Sequence, residues 1–240
     1  MQKNLWHEIE KHPEIRVGQY IVPNFVSNSI AIKTSDSDIV IISPGKSLID
    51  AFPKEWLNEE LCMHLVMPNS FHYMGVQAWR DAFPKHRLYA SKGAIKRLVK
   101  QGVASSESDI TALESELPPL PFNYSVLIPP GHRGHDAWFK KHDKDSQTSL
   151  WITCDSFLNY ERMSNQPIAK VMQKVLGAAP GLKMSQVIKW FLLDDKATFK
   201  QWALKQIDND QPAILIPSHG EVLASAELPM KLISLLNKRL

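Results

Sequence analysis

Short apolar runs, separated by polar turns and prolines, fill the first two thirds of the chain. Apolar runs bounded by turn residues are typical of strands, whereas apolar positions three and four residues apart are typical of helices. Predicted strands cover 25–33, 39–43, 62–67, 87–91, 124–128, 137–141, 149–153 and 213–216. The run 62–67 is continuously apolar, which is typical of a strand buried on both faces.

Helical periodicity predicts the remaining elements. Predicted helices cover 53–61, 76–83, 92–100 and 227–236, and the block 166–207 is predicted as helices interrupted at 177–181 and near 194–195. The segment 104–121, rich in Ser, Glu and Pro, is interpreted as a surface loop. Strands in clusters with interspersed helices indicate an α+β domain that contains two sheets covered by helices.

Two aromatic groups lie within the late helical block. Val187, Trp190 and Phe191 share one helical face, and Phe199 and Trp202 share another with Ala203. Packing of helices on a sheet explains both groups. A lid over a binding site is the alternative interpretation.

Composition and charge describe an ordinary globular protein. The 240 residues are 44% hydrophobic and 22% charged, with a formal net charge of +3, so the chain can bury a sizeable core. This net charge is too small to indicate nucleic acid, and the basic cluster on the predicted helix 92–100 is interpreted as a solvated face. The chain has no GxGxxG or P-loop pattern, which argues against a nucleotide-binding doubly wound fold.

Sequence features also predict the compartment. The segment 1–8 is charged and is not expected to be a secretory signal, and no apolar run approaches the ~20 residues of a membrane-spanning helix. Only two cysteines are present, Cys62 and Cys154, which is too few for a disulfide framework. The prediction is a cytoplasmic protein that acts without a membrane or nucleic-acid partner.

Four residues able to bind a metal follow predicted strands. They are His72, His132, Asp155 and His219, placed just beyond the apolar runs 64–67, 126–128, 150–154 and 213–216. Loops at strand ends are where a sheet gathers distant side chains into one site. Imidazole and carboxylate are ligands of hydrolytic metals, so this pattern is the strongest chemical signal in the chain.

The order of these segments resembles the metallo-β-lactamase superfamily. Segments 28–32 (NSIAI) and 41–45 (IISPG) resemble its early strands, and 65–75 (LVMPNSFHYMG) lies where the superfamily carries H-x-H-x-D-H-x-G-G. Segments 130–132 (PGH), 153–155 (TCD) and 217–220 (PSHG) resemble its later motifs. The resemblance spans most of the chain and implies a four-layer αββα sandwich formed by a single domain over 1–240.

The first metal motif is eroded relative to that pattern. If His72 matches the last histidine, then Met67, Asn69 and Phe71 replace the first histidine, the second histidine and the aspartate. The resemblance implies that the first metal position keeps only the residue matched by His132 and a shared carboxylate. The ring of Phe71 is expected to fill the aspartate's space, and Asn69 is a candidate for positioning water.

The second metal position keeps three ligands, which the resemblance assigns to His72, Asp155 and His219. Two histidines and one carboxylate suit one Zn or Fe ion with open positions for water. Such an ion would polarise a substrate oxygen and lower the pKa of a bound water to ~7. His132 is expected to be a fourth ligand or a proton shuttle, so His132 and Asp155 are the candidate catalytic residues.

Several neighbouring residues have alternative interpretations. His135 takes the role of His132 if the register differs by a few residues. Arg133 either binds a substrate anion or is an exposed loop residue. Cys154 is interpreted as a core thiol that strand alternation turns away from Asp155, and Glu221 as a helix-start or solvent carboxylate.

Two functions of different class follow from the sequence. One is a metal-dependent hydrolase with a reduced, mononuclear site that acts on an unidentified small molecule. The other is a non-catalytic protein that uses the remnant pocket, without a metal, to bind a small molecule or a protein partner. Because the same fold serves many chemistries, the resemblance does not identify the substrate.

Overall fold

The computed structural model describes residues 4–22 and 25–240. The chain divides into two compact units, Met1–Pro121 and Phe122–Leu240. The single domain over 1–240 therefore stays a prediction. Residues 1–3, which belong to the segment judged not to be a secretory signal, lie outside the described residues.

The first unit contains a mixed seven-stranded sheet with the strands in sequence order. The strands are β1 (Trp6–Ile9), β2 (His12–Val22), β3 (Phe25–Lys33), β4 (Asp38–Ile42), β5 (Cys62–Met67), β6 (His86–Ala90) and β7 (Thr111–Ala112). Strands β1 to β4 are antiparallel, and β4 to β7 are parallel. Helices α1 (Val76–Ala82) and α2 (Lys92–Lys100) provide the crossovers that parallel strands require.

Strand alternation divides the side chains of this sheet between two faces. On one face, Ile41 and Leu65 belong to a buried cluster that includes Trp79 of α1 and Leu98 of α2. The indole of Trp79 donates a hydrogen bond to the Gly45 carbonyl at 3.0 Å, which fixes α1 to the loop after β4. On the other face, β4 and β5 carry Val40, Ile42, His64 and Val66, all of them buried. Strand β5 is therefore buried on both faces, as its continuous apolar run predicts.

The second unit contains a five-stranded sheet in the order β14-β13-β10-β9-β8 and a two-stranded sheet, β11-β12. Its strands are β8 (Tyr124–Leu127), β9 (Trp138–Asp143), β10 (Thr148–Ile152), β11 (Leu158–Tyr160), β12 (Gly181–Lys183), β13 (Pro212–Ile216) and β14 (Leu223–Ala224). Its helices are α3 (Pro167–Val175), α4 (Lys196–Asp210) and α5 (Leu228–Arg239), with a π-helical turn at Ile188–Leu192. Strands β10 and β13 are parallel, and the other paired strands are antiparallel.

All eight predicted strands are present in the structure to within two residues at each end. The predicted helix 53–61 is wrong, because only Lys54–Trp56 forms a 3-10 turn and Leu57 is already extended. The loop 104–121 is also not wholly irregular, since β7 lies within it and pairs with β6. Ile110 and Leu113 flank β7 and are both buried, and Ile110 belongs to the core of the first unit.

The two aromatic groups of the late block behave differently. Phe199 and Ala203 are buried in the core of the second unit, as predicted. Trp190 and Phe191 are 61% and 69% exposed, so their predicted packing on the sheet is wrong. The segment is π-helical, and it is Ile188 and Leu192 that face the core. Within the described ranges, no helix has both the length and the apolar character needed to cross a membrane.

Candidate metal centre

Asp155 and His219 follow two neighbouring strands of the second unit. Strands β10 and β13 are parallel, with Ile152 opposite Ile216, so the loops that carry both residues leave the same edge of the sheet. The His219 Nε2 atom lies 3.1 Å from Asp155 Oδ1, and the side chains are 18% and 12% exposed. The structure thus places an imidazole and a carboxylate in contact, with limited access to solvent.

Backbone hydrogen bonds hold these two loops together beyond the strands. The Ser218 amide donates to the Cys154 carbonyl at 3.0 Å, and the Asn159 amide donates to the His219 carbonyl at 3.1 Å. Glu221 in turn donates its amide to the Asn159 carbonyl at 2.6 Å. The main chain at His219 is therefore held on both sides, and its imidazole contacts Asp155 from this fixed backbone position.

Gly220 is required by this close approach. Its φ is +94°, and a Cβ atom there would collide with the Asn159 carbonyl oxygen. A side chain would therefore be strained and would also push apart the two loops. The contact between the two loops therefore explains the glycine at position 220 without reference to any ligand.

His132 lies in the loop after β8 and is buried. A backbone bridge to Leu193 and a hydrogen bond from the Arg133 amide to the Leu192 carbonyl, 2.7 Å, hold this loop. The His132 Nε2 atom lies 3.3 Å from Asp136 Oδ2, and the ring centroid is 6.2 Å from that of Phe199. Among the described residues, neither ring nitrogen has a hydrogen-bond partner of good geometry. Buried polar atoms without a hydrogen-bond partner are uncommon, so His132 is a candidate for contact with water, an ion or a ligand.

Asp136 is the residue of this region that the sequence interpretation missed. Its fully buried side chain accepts a hydrogen bond from Ser156 Oγ at 2.8 Å, and Ser156 accepts one from Trp138 Nε1 at 3.0 Å. A donor chain therefore runs from Trp138 through Ser156 to the carboxylate beside His132. The available signal was an aspartate four residues after the candidate histidine and directly before an apolar strand.

Cys154 differs from its predicted placement. It is buried as expected, but its φ of +25° breaks the strand alternation, and its Sγ lies within 4.8 Å of an Asp155 carboxylate oxygen. The prediction that it points away from Asp155 is wrong. Burial raises the pKa of the Cys154 thiol well above its ordinary value, and the charges of Asp136 and Asp155 add to this effect. Cys154 is thus a protonated thiol in the neighbourhood of the carboxylate.

In the first unit, His72 is buried and held by its own loop. Its Nδ1 shares a hydrogen bond of 2.7 Å with Ser43 Oγ at the end of β4. The Asn69 side-chain oxygen accepts the Phe71 and His72 amides at 2.8 and 3.1 Å. Asn69 therefore shapes the turn that presents His72, and its side-chain oxygen is used for this purpose.

Phe71 does not fill a buried space. Its ring is 38% exposed, and the Arg97 guanidinium of α2 lies 4.5 Å from the ring centroid. The expectation that this ring occupies the place of the missing aspartate is wrong. A cation–π contact holds the ring at the surface of the unit.

The alternative residues have separate environments. Arg133 is exposed, in agreement with its interpretation as a loop residue. His135 is half-buried with a φ of +59°, and its amide donates to the His132 carbonyl at 2.9 Å. Glu221 does not start a helix; its side chain accepts the Glu161 amide at 2.9 Å and ties β11 to the loop after β13.

Comparison with known proteins gives a result for structure alone. No family model matches the sequence, and no curated protein matches it. Solved structures match along almost the whole chain. The FIM-1 metallo-β-lactamase from Pseudomonas aeruginosa, in its mono-zinc form, has a TM-score of 0.55 at 15% identity, and the match covers 93% of this chain and 90% of that one. The DIM-1 metallo-β-lactamase has a TM-score of 0.56 at 13% identity over 99% of both chains.

The chain has the metallo-β-lactamase fold. The same fold relates it to a putative diflavin flavoprotein fragment from Nostoc sp. PCC 7120, with a TM-score of 0.62 at 13% identity over 98% of this chain and 94% of the other. The fold class predicted from the sequence, α+β of the metallo-β-lactamase type, is confirmed. Identities this low establish the fold and leave the chemistry to the residues of the site.

Two of the candidate ligands, Asp155 and His219, have a geometry that suits a bound metal ion. Asp155 and His219 offer oxygen and nitrogen atoms 3.1 Å apart, close to the separation of about 3.5 Å that adjacent ligands have around a tetrahedral ion with bonds of about 2.0–2.2 Å. The carboxylate is an anionic donor, and imidazole is the commonest protein ligand of zinc. These two residues therefore fit a divalent ion, as does the chemistry of His132.

Proposed function

We propose that the chain is a metal-dependent hydrolase with one mononuclear site, whose ligands are His72, Asp155 and His219. The observation that supports this most is the contact between His219 Nε2 and Asp155 Oδ1, 3.1 Å, at the ends of neighbouring parallel strands. His72 enters the proposal from the sequence resemblance. The mono-zinc form of FIM-1 supports it as well, because in that form a protein of the same fold holds one zinc ion.

A single Zn or Fe ion would supply Lewis acidity toward a substrate oxygen and toward water. Asp155 and His219 would bind this ion, and the backbone hydrogen bonds around His219 would keep both ligands oriented. His72 would bind through Nε2, because its Nδ1 is engaged by Ser43. The remaining positions would admit water and a small-molecule substrate.

His132 is proposed to carry a proton during the reaction. Asp136 Oδ2 lies 3.3 Å from His132 Nε2, and after a small rotation of the ring this carboxylate would accept a hydrogen bond from Nε2 and orient the imidazole. The proton would then be taken up and released at Nδ1. In this role Asp136 is a positioning residue, itself held by Ser156.

The proposal extends to compartment and partners. Cys62 and Cys154 are both free thiols, which agrees with a reducing compartment such as the cytoplasm. The partner we propose is a small molecule with a hydrolysable bond. The alternative is a non-catalytic binding protein, which a hydrolysis assay distinguishes from a hydrolase.

The test measures hydrolysis that depends on metal. The purified protein is stripped with a chelator, reloaded with Zn²⁺, Fe²⁺ or Mn²⁺, and assayed on lactams, thioesters and phosphodiesters. We expect turnover of one class that the chelator abolishes and one ion restores. Asp155→Asn should abolish it, whereas the exposed control Asp145→Asn should not. Turnover of none of these classes by metal-loaded protein would contradict the hydrolase and favour the binding protein.

A further inference from the structure

A second group of potential metal ligands lies at the opposite end of the first sheet from His72. Asp38 begins β4 and Cys62 begins β5, and these two residues are paired across the parallel strands. His64 lies two residues further along β5 and therefore on the same face as Cys62. One atom from each of the three side chains lies within 4.8 Å of the other two.

We propose that Asp38, Cys62 and His64 bind one divalent transition-metal ion of the zinc type. Thiolate, imidazole and carboxylate are the three ligand classes that zinc takes in proteins. This site is independent of the hydrolase proposed above and shares no ligand with it. The distance between the two ends of β5 is roughly 16 Å, from five steps of about 3.3 Å, so one ion cannot serve both.

The geometry needs only a small adjustment to accept an ion. His64 Nε2 lies 2.8 Å from Asp38 Oδ1, whereas neighbouring ligands of a tetrahedral ion with bonds of about 2.0–2.3 Å are about 3.5 Å apart. The ion would replace the proton that the two side chains share. On binding, Cys62 would lose its thiol proton to solvent, and the imidazole proton would reside on Nδ1.

Neighbouring side chains already orient the ligands. Tyr89 of β6 places its hydroxyl 3.2 Å from His64 Nδ1, where it would accept the imidazole proton and leave Nε2 directed at the ion. Ser35 and Ser37 donate hydroxyl hydrogen bonds to Asp38 Oδ2 at 2.9 and 2.8 Å, which leaves Oδ1 as the ligand oxygen. Hydrogen bonds that orient the ligand side chains in this way are a regular feature of protein zinc sites.

Access and charge also favour an ion here. The His64 side chain is buried, but Asp38 and Cys62 are half-buried, so an ion can enter from solvent on their side. The thiolate and carboxylate together carry two negative charges, which would neutralise a divalent ion. Burial raises the pKa of the Cys62 thiol and the charge of Asp38 adds to this effect, whereas Arg87 on β6 acts in the opposite direction, so the ion would have to displace the thiol proton. With three protein ligands the ion would keep one position for water, and it would cross-link β4 and β5.

The test uses Co²⁺ as a spectroscopic substitute for zinc. Binding through Cys62 should produce a thiolate-to-cobalt charge-transfer absorption in the chelator-stripped protein by two equivalents of ion, one for each proposed site. Cys62→Ser should abolish this band, whereas Cys154→Ala, which removes the other cysteine, should keep it. Absence of the band in the native sequence, or its persistence in Cys62→Ser, would overturn the proposal.

A second measurement does not depend on any variant. Two equivalents of Zn²⁺, enough for both proposed sites, should protect Cys62 from alkylation at least tenfold, as followed by mass spectrometry of the peptide that contains it. Equal alkylation rates with and without Zn²⁺ would mean that Asp38 and His64 form a hydrogen-bonded pair only. Asp155→Asn should leave the protection intact, so failure of the hydrolase and failure of this site are distinguishable.

Discussion

At the scale of single residues, main-chain geometry decides where the candidate ligands lie. His219 is fixed because Gly220 permits the loop after β13 to contact Asn159. His72 is fixed because Asn69 accepts two successive amides. Gly220, Asn159 and Asn69 bind no ion in the proposal, yet the positions of the two histidine ligands depend on them.

Gly220→Ala should therefore be far more costly than an ordinary replacement of a left-handed glycine. Gly102 is the control: its φ is +78°, but nothing lies within 4 Å of a Cβ atom there. Gly102→Ala is expected to cost about 1–2 kcal/mol of unfolding free energy, from the left-handed conformation alone. Gly220→Ala adds a backbone collision and is expected to cost about 2–5 kcal/mol in urea denaturation. Equal costs would show that the two loops are not in contact.

Protonation of His64 should make the chelator-stripped protein less stable in weak acid. Burial lowers the pKa of His64 below its usual 6.5, although Asp38 acts in the opposite direction, and the hydrogen bond from His64 lowers the pKa of Asp38. A group whose pKa is lower in the folded state stabilises the fold above its unfolded pKa and loses this contribution as the pH falls. The free energy of unfolding should therefore fall from about pH 7 to about pH 5.

His64→Gln is the variant that tests this pH dependence. Glutamine can still donate a hydrogen bond to Asp38 but does not titrate in this range. Denaturation curves at both pH values should show a shallower fall for His64→Gln than for the native sequence. The same slope in both proteins would mean that His64 does not control the acid response.

At the scale of elements, the sequence predicted most strands because their signals are local. The runs 62–67 and 213–216 are apolar and bounded by turn residues, and both are strands. Strands β1 and β2 went unpredicted because β2 contains Arg16 and Gln19, polar residues that are buried only in the folded unit. The π-helical turn at Ile188–Leu192 also had no signal, since the same apolar residues fit an ordinary helix.

Loss of apolar side chains should change the free energy of unfolding little when they lie on α3 and strongly when they lie on the buried face of α4. Ile168 and Val171 of α3 are exposed, so Ile168→Gln and Val171→Gln should each change the unfolding free energy by less than about 0.5 kcal/mol. Phe199 of α4 is fully buried beside Trp138, so Phe199→Ala should cost about 3–5 kcal/mol. Thermal and urea denaturation check both. A large cost on α3 would show that this face is covered in solution.

At the scale of the whole molecule, order along the chain was more informative than any single motif. Six weak resemblances in the right order along the chain predicted the metallo-β-lactamase fold, which the solved structures confirm. The contact of Asp155 with His219 follows from parallel β10 and β13, whereas the buried Asp136 and the left-handed Cys154 depend on tertiary packing. Local sequence does not encode such packing, so these two residues required the structure.

The most direct measurement of the central claim is metal content per chain in a protein that lacks the Cys62 site. Cys62→Ser protein, purified untagged without chelator and incubated with Zn²⁺ or Fe²⁺, should retain one ion per chain by elemental analysis. Adding His219→Ala to it should lower the content to near zero, while adding Asp145→Asn should not. Content well below one ion in Cys62→Ser, or an unchanged content after His219→Ala, would contradict the proposed metal centre.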